Sequence, residues 1–129
     1  MKLPDLRRAD DAGVIEYHGH TDAVATAAEH AGLRFLEVDL GQAVDKPTLF
    51  AALAQGLHLP AHFGNNFDAL ADSLEDRDWL GAKGCAIHLG HASHFRHGHP
   101  HDWKTLEEIM SEAASFWSER HLPFWVMVG

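Results

Sequence analysis

The C-terminal segment 124–128 carries five apolar side chains in a row, Phe-Trp-Val-Met-Val. A strand with one face in water alternates polar and apolar residues, so this segment predicts a central strand covered on both faces. Strands of that kind occur in parallel sheets whose connections are helices. The segment therefore constrains the chain to an α/β fold, a small mostly parallel β-sheet packed with helices.

The remaining periodicities supply the other elements. Further strand patterns occur at 14–17, 33–40 and 85–89. Helix patterns with apolar residues three and four apart occur at about 21–31, 45–57, 66–81 and 102–120. The predicted order is β-α-β-α-α-β-α-β, with right-handed crossovers.

A length of 129 residues favours one domain. We expect 1–12 to be a flexible tail and 13–129 a single domain, in which 13–32 is an N-terminal strand-helix extension. The start of the sequence has no signal-peptide pattern and no stretch has a membrane-span pattern. The single cysteine, Cys85, lies in an apolar run and predicts a buried structural thiol in a reducing compartment. We expect a cytoplasmic protein.

The formal charge is −9 with neutral histidines. Such a chain repels nucleic acid, whose binding requires clustered Lys and Arg, and attracts a basic protein. The twelve histidines gain positive charge below about pH 6, so we expect binding to a basic partner to weaken there.

The stretch 59–74 is the main functional candidate. A Pro and a Gly bracket a short loop, and an Asn pair follows that can cap a helix. Phe67, Leu70 and Leu74 make one apolar face of this helix. Asp68 and Asp72 lie on another face, where like charges four residues apart cost about 0.2–0.5 kcal/mol in an isolated helix. On charge alone, an ordinary solvated helix face explains these acids better than a binding surface.

The pattern Leu-Pro-x-x-Phe-Gly-x-Asn-x-Asp-Ala-Leu-x-Asp-x-Leu over 59–74 resembles the signature of the barstar family of intracellular ribonuclease inhibitors. A looser similarity continues from about residue 34 to the C-terminus, whereas 1–32 lie outside the short family type. The resemblance implies a barstar-like fold and a monomeric inhibitor without cofactor or catalysis. Its partner would be a small basic ribonuclease, whose active site it blocks by imitating a phosphate.

The resemblance also implies roles for individual residues. Asp72 would be the phosphate mimic and Asp68 a second acidic anchor. His62 would stack or hydrogen-bond at the interface, Gly64 would allow close approach of the partner, and Asn66 would hold the loop–helix junction. The full set of expected partner-binding residues is His62, Gly64, Asn65, Asn66, Asp68, Ala71, Asp72, Glu75 and Trp79.

Two positions depart from the family pattern, and one family contact has no clear match. Ala71 stands where the best-known inhibitor has a large aromatic residue. Trp79 resembles a later family tryptophan only after a short insertion, and Glu119 is the only candidate for an acidic contact near the end of the last helix. An alternative is therefore a different toxin bound by the same fold.

Two other functions compete with inhibition. A histidine-rich loop at 90–101, together with His88, could make the protein a metal-binding one, but its spacing favours a solvated loop over an evolved site. The metal candidates there are His91, His94, His97 and His99. An acid–base cluster of His62, Asp68 and Asp72 is the enzyme alternative, but no activated nucleophile or phosphate-binding loop accompanies it.

Overall fold

The computed structural model describes residues 2–129. Four strands form one parallel sheet in the order β1-β4-β3-β2. Their bounds are β1 Val14–Glu16, β2 Arg34–Asp39, β3 Cys85–Gly90 and β4 Phe124–Val128. All five residues of β4 are buried between β1 and β3, which confirms the central strand. The α/β class and the parallel sheet are likewise confirmed, and β1 joins that sheet as an edge strand.

Residues 2–129 also form six helices, which pack on the sheet or on one another. They are α1 Thr21–His30, α2 Lys46–Gly56, α3 Phe67–Leu74, α4 Arg77–Leu80, α5 Ser93–Gly98 and α6 Pro100–Ser118. A short 3-10 turn also forms at Ala9–Asp11. Asp45 caps α2, because its carboxylate accepts a hydrogen bond from the Thr48 amide at 3.0 Å.

Two predictions of secondary structure were wrong. The helix expected to continue to 81 ends at Leu74, because the Asp76 side chain accepts a hydrogen bond from the Asp78 amide and starts the separate helix α4. The segment 90–101 is not a loop, since it contains α5. Phe95 is fully buried on α5 and stacks on the His99 ring, with 4.9 Å between the centroids. This apolar anchor holds the histidine-rich segment in a helix.

The sheet separates two apolar clusters. The larger one joins the first face of the sheet to α2, α3 and α6. The smaller one covers the second face with residues of the N-terminal extension. Cys85 is fully buried and burial raises the pKa of its thiol well above the usual range, as expected of a structural cysteine.

The N-terminal segment contacts the second face of the sheet. Leu6 is buried there, and its carbonyl accepts a hydrogen bond from the Trp125 indole at 2.8 Å. The polar composition of 1–12 does not indicate these contacts. Residue 1 lies outside the described residues, and the flexibility of the segment stays a prediction.

Candidate functional site

Asn66 joins the loop to helix α3. Its side-chain oxygen accepts a hydrogen bond from the Ala69 amide at 2.7 Å, and its side-chain nitrogen donates to the Gly64 carbonyl at 3.2 Å. One side chain therefore satisfies an open amide of the first helical turn and fixes the preceding loop. The expected N-cap is confirmed.

Helix α3 is fixed to the core along its apolar face. Leu70 and Leu74 are fully buried, and the half-buried Phe67 ring packs edge-to-face on Phe50 with centroids 5.0 Å apart. At the other end of the helix, the Trp117 indole donates a hydrogen bond to the Leu74 carbonyl at 2.7 Å. Both ends of α3 are therefore anchored, which fixes the direction of its exposed face.

That exposed face carries Asp68 and Asp72. Both residues are exposed, and within residues 2–129 neither carboxylate has an ion pair or a hydrogen bond to another side chain. Glu75 is half-buried just beyond the last turn of the helix. The helix that carries the two aspartates is thus anchored, and both carboxylates are free to accept hydrogen bonds from a cationic ligand.

A surface groove of 580 Å³ lies beside this face, between the loop, α3 and the start of α4. It brings four of the expected residues together, namely His62, Gly64, Asp72 and Trp79. It adds three charged or titratable residues, His58, Asp76 and Asp78. We call it the acidic groove. Five expected residues lie outside its lining: Asn65, Asn66, Asp68, Ala71 and Glu75.

Sequence reasoning did not assign the three additional groove residues to the site. Asp76 follows Asp72 by four residues, so the acidic spacing alone was a usable signal. His58 and Asp78 belong to other segments and reach the groove only because the loop and α4 pack beside α3. Their presence there could not be found from local patterns.

Trp79 is mainly a structural residue. It is 9% exposed, its indole donates a hydrogen bond to the Leu57 carbonyl at 2.7 Å, and its ring lies 6.4 Å from that of Phe124. Little of this side chain is therefore within reach of a partner in the acidic groove. Its part in binding stays a prediction.

The other side of the loop has a smaller groove of 250 Å³. Asn65 and Asn66 line it together with Phe50 and Phe67. At Gly64, an added Cβ would lie 3.3 Å from the Asn66 side-chain nitrogen, so a larger residue would crowd the junction. Ala71 is half-buried on α3.

Two histidines of the segment 88–101 have hydrogen-bond partners on other segments. His91 lies 2.9 Å from the Asp39 carboxylate, and His99 Nε2 lies 2.7 Å from the Val44 carbonyl oxygen. The Gly41 amide and then the His91 ring lower the pKa of Asp39. His91, His94 and His97 line one shallow groove of 790 Å³. Within residues 2–129, however, no three His, Cys, Asp or Glu side chains are placed to hold a metal ion.

No helix formed by residues 2–129 has the length and apolar content needed to cross a membrane.

The fold and the site define the chain as a small α/β protein with an exposed acidic loop–helix surface. Residues 33–129 match the family model described as Barstar (barnase inhibitor), and the chain belongs to this family. No curated protein matches the chain significantly. The matched region contains the whole acidic groove, whereas β1 and α1 precede it.

Proposed function

We propose that this protein binds a small basic ribonuclease and blocks its active site with the surface formed by the loop 58–66 and helix α3. The observation that carries the proposal is the pair of exposed, unpaired carboxylates at Asp68 and Asp72 on a helix anchored at both ends. The family to which the chain belongs is described as barnase inhibitors, and this description supports a ribonuclease as the partner here.

Phosphate mimicry explains how such a surface inhibits. A ribonuclease active site binds the phosphate of RNA through cationic side chains, and a carboxylate can accept the same charge-assisted hydrogen bonds. Asp72 lies at the edge of the acidic groove, so a guanidinium that enters the groove can reach its carboxylate. Because α3 is already fixed, little conformational freedom is lost on binding. Asp68, one helical turn earlier, supplies a second anchor.

The net charge of −9 further favours a basic partner. Opposite net charges steer two proteins together and accelerate association, as in the barnase–barstar pair that exemplifies this rule. We propose that the protein acts as a monomer in the cytoplasm, forms a one-to-one complex and catalyses no reaction itself. The single, buried cysteine is consistent with a reducing compartment.

The test is inhibition of RNA cleavage by barnase and by a panel of other small basic ribonucleases. We expect stoichiometric loss of activity against at least one enzyme and a much weaker effect of the Asp72→Ala variant. Glu29→Gln is the matched control, because Glu29 is an exposed acid on α1, which packs on the second face of the sheet. Inhibition of no enzyme in the panel would overturn the proposal.

Ala71 favours a second candidate, a different basic toxin bound by the same surface. The alanine side chain offers little apolar contact at a position where the family resemblance leads us to expect a large aromatic. Ala71→Trp separates the two candidates. Tighter inhibition of barnase by this variant would support a ribonuclease partner, whereas weaker inhibition would favour a partner shaped for the small residue.

A further inference from the structure

Two imidazoles lie among the carboxylates of the acidic groove. The loop after α2 supplies His58 and His62. Helix α3 supplies Asp72, and the start of α4 supplies Asp76 and Asp78. His58 and His62 are both exposed. The groove therefore contains the residue type whose charge changes between about pH 5 and 8, next to the proposed phosphate mimic.

His58 also borders a second groove. The backbone of His58 has a φ of 54°, and the chain leaves the helical path there, just after the end of α2. On that side it lines a groove of 700 Å³ with Glu37 and Asp39 of strand β2. Carboxylates of α3 and α4 thus line the acidic groove with both histidines, and carboxylates of β2 line the second groove with His58. Apart from the imidazoles, every titratable group that lines these two grooves is a carboxylate.

We propose that His58 and His62 make partner binding dependent on pH, so that the acidic groove binds a cationic partner at neutral pH and releases it on acidification. The inference rests on the proposed function and names a regulation of the same surface. With both imidazoles neutral, the groove presents three carboxylates to the partner. With both protonated, two positive charges offset most of that negative charge and repel the cations of the partner.

The other histidines are placed differently. His91 and His99 have partners in the fold, and His88 is buried in β3. His18 and His20 follow β1, the sheet edge opposite β2. A pH effect produced by overall charge would also depend on exposed histidines far from the groove, such as His18 and His20. The inference instead assigns the effect to two residues in one groove.

The experiment measures the dissociation constant of the barnase complex from about pH 8 to about pH 5.5. We expect wild type to lose affinity about tenfold or more over this range. Each proton that is released when the complex forms makes the logarithm of the dissociation constant change by about one unit per pH unit. The combined variant His58→Asn and His62→Gln should lose most of that slope. Asn tolerates the positive φ at position 58.

The combined variant His18→Gln and His20→Gln is the control and should retain the slope of wild type. Because the same ribonuclease is used throughout, titration of its own groups cancels in the comparison. Binding at about pH 8 with equal slopes for wild type and the groove variant would overturn this inference alone. Absence of binding at about pH 8 to barnase and to every other ribonuclease of the panel would overturn the proposed function and the inference with it.

Discussion

Replacing Asn66 tests whether one side chain holds the loop and helix of the proposed binding surface in place. Asn66→Ala removes two hydrogen bonds, one to the Ala69 amide at 2.7 Å and one to the Gly64 carbonyl at 3.2 Å. Loss of an N-cap costs about 1 kcal/mol. A solvent-exposed hydrogen bond adds about 0.5 kcal/mol, because water replaces the lost partner. We therefore expect the free energy of unfolding to fall by about 1.5 kcal/mol.

A second variant separates the two hydrogen bonds. Asn66→Asp keeps the oxygen that accepts from the Ala69 amide but removes the nitrogen that donates to Gly64. A negative charge at the N-cap also interacts favourably with the helix dipole. We expect this variant to lose less stability than Asn66→Ala. Both variants should bind the partner more weakly, because the loop that carries His62 loses its attachment to α3.

The assay is urea unfolding followed by tryptophan fluorescence and by far-ultraviolet circular dichroism. Coincident transitions from the two probes would show that a single free energy describes unfolding. A loss below about 0.5 kcal/mol in Asn66→Ala would refute the assignment of Asn66 as the residue that fixes the junction, since substitutions without a structural role fall within that range of wild type.

Three further predictions concern stability. Gly56→Ala places a methyl 2.6 Å from a carbonyl oxygen of β2 and should cost about 1–3 kcal/mol in urea unfolding; a cost equal to that of Gly98→Ala, where nothing lies within 4 Å, would contradict this. Leu6→Ala should cost about 2 kcal/mol or more, because Leu6 is buried against the sheet. A neutral result would show that the N-terminal segment contributes no stability. Burial lowers the pKa of His88, so the unfolded chain takes up a proton more readily than the folded one and stability falls as the pH drops below about 6.5; equal pH dependence in His88→Leu and wild type would exclude this cause.

The elements of the fold with a strong local pattern could be predicted from the sequence. The uninterrupted apolar run of β4 indicated a central strand, and Asp45 and Asn66 marked the starts of α2 and α3. Helix α5 could not be predicted, because its stability depends on the burial of Phe95 and the stacking of His99. The position of β1 and the burial of Leu6 also depend on contacts with β4, which is more than a hundred residues away in the chain.

The candidate site shows the same division. The exposure of Asp68 and Asp72 followed from their spacing on a helix whose other face is apolar. The acidic groove did not, because His58 and Asp78 come from segments that only tertiary packing brings beside α3. Trp79 stood out as a possible contact in the sequence, but its ring packs in the apolar core, where its indole donates a hydrogen bond to the Leu57 carbonyl. Local patterns therefore identified the anchors of the surface but not its shape.

The most direct test of the proposed inhibition is the dissociation constant of the complex between Asp72→Asn and a ribonuclease that wild type inhibits. This substitution keeps the size of the side chain and removes its charge at an exposed position, so the fold should be unaffected. If Asp72 imitates a phosphate, binding should weaken by about 2 kcal/mol or more, which is about 30-fold. An unchanged dissociation constant, with Glu29→Gln also at the wild-type value, would contradict phosphate mimicry by this surface.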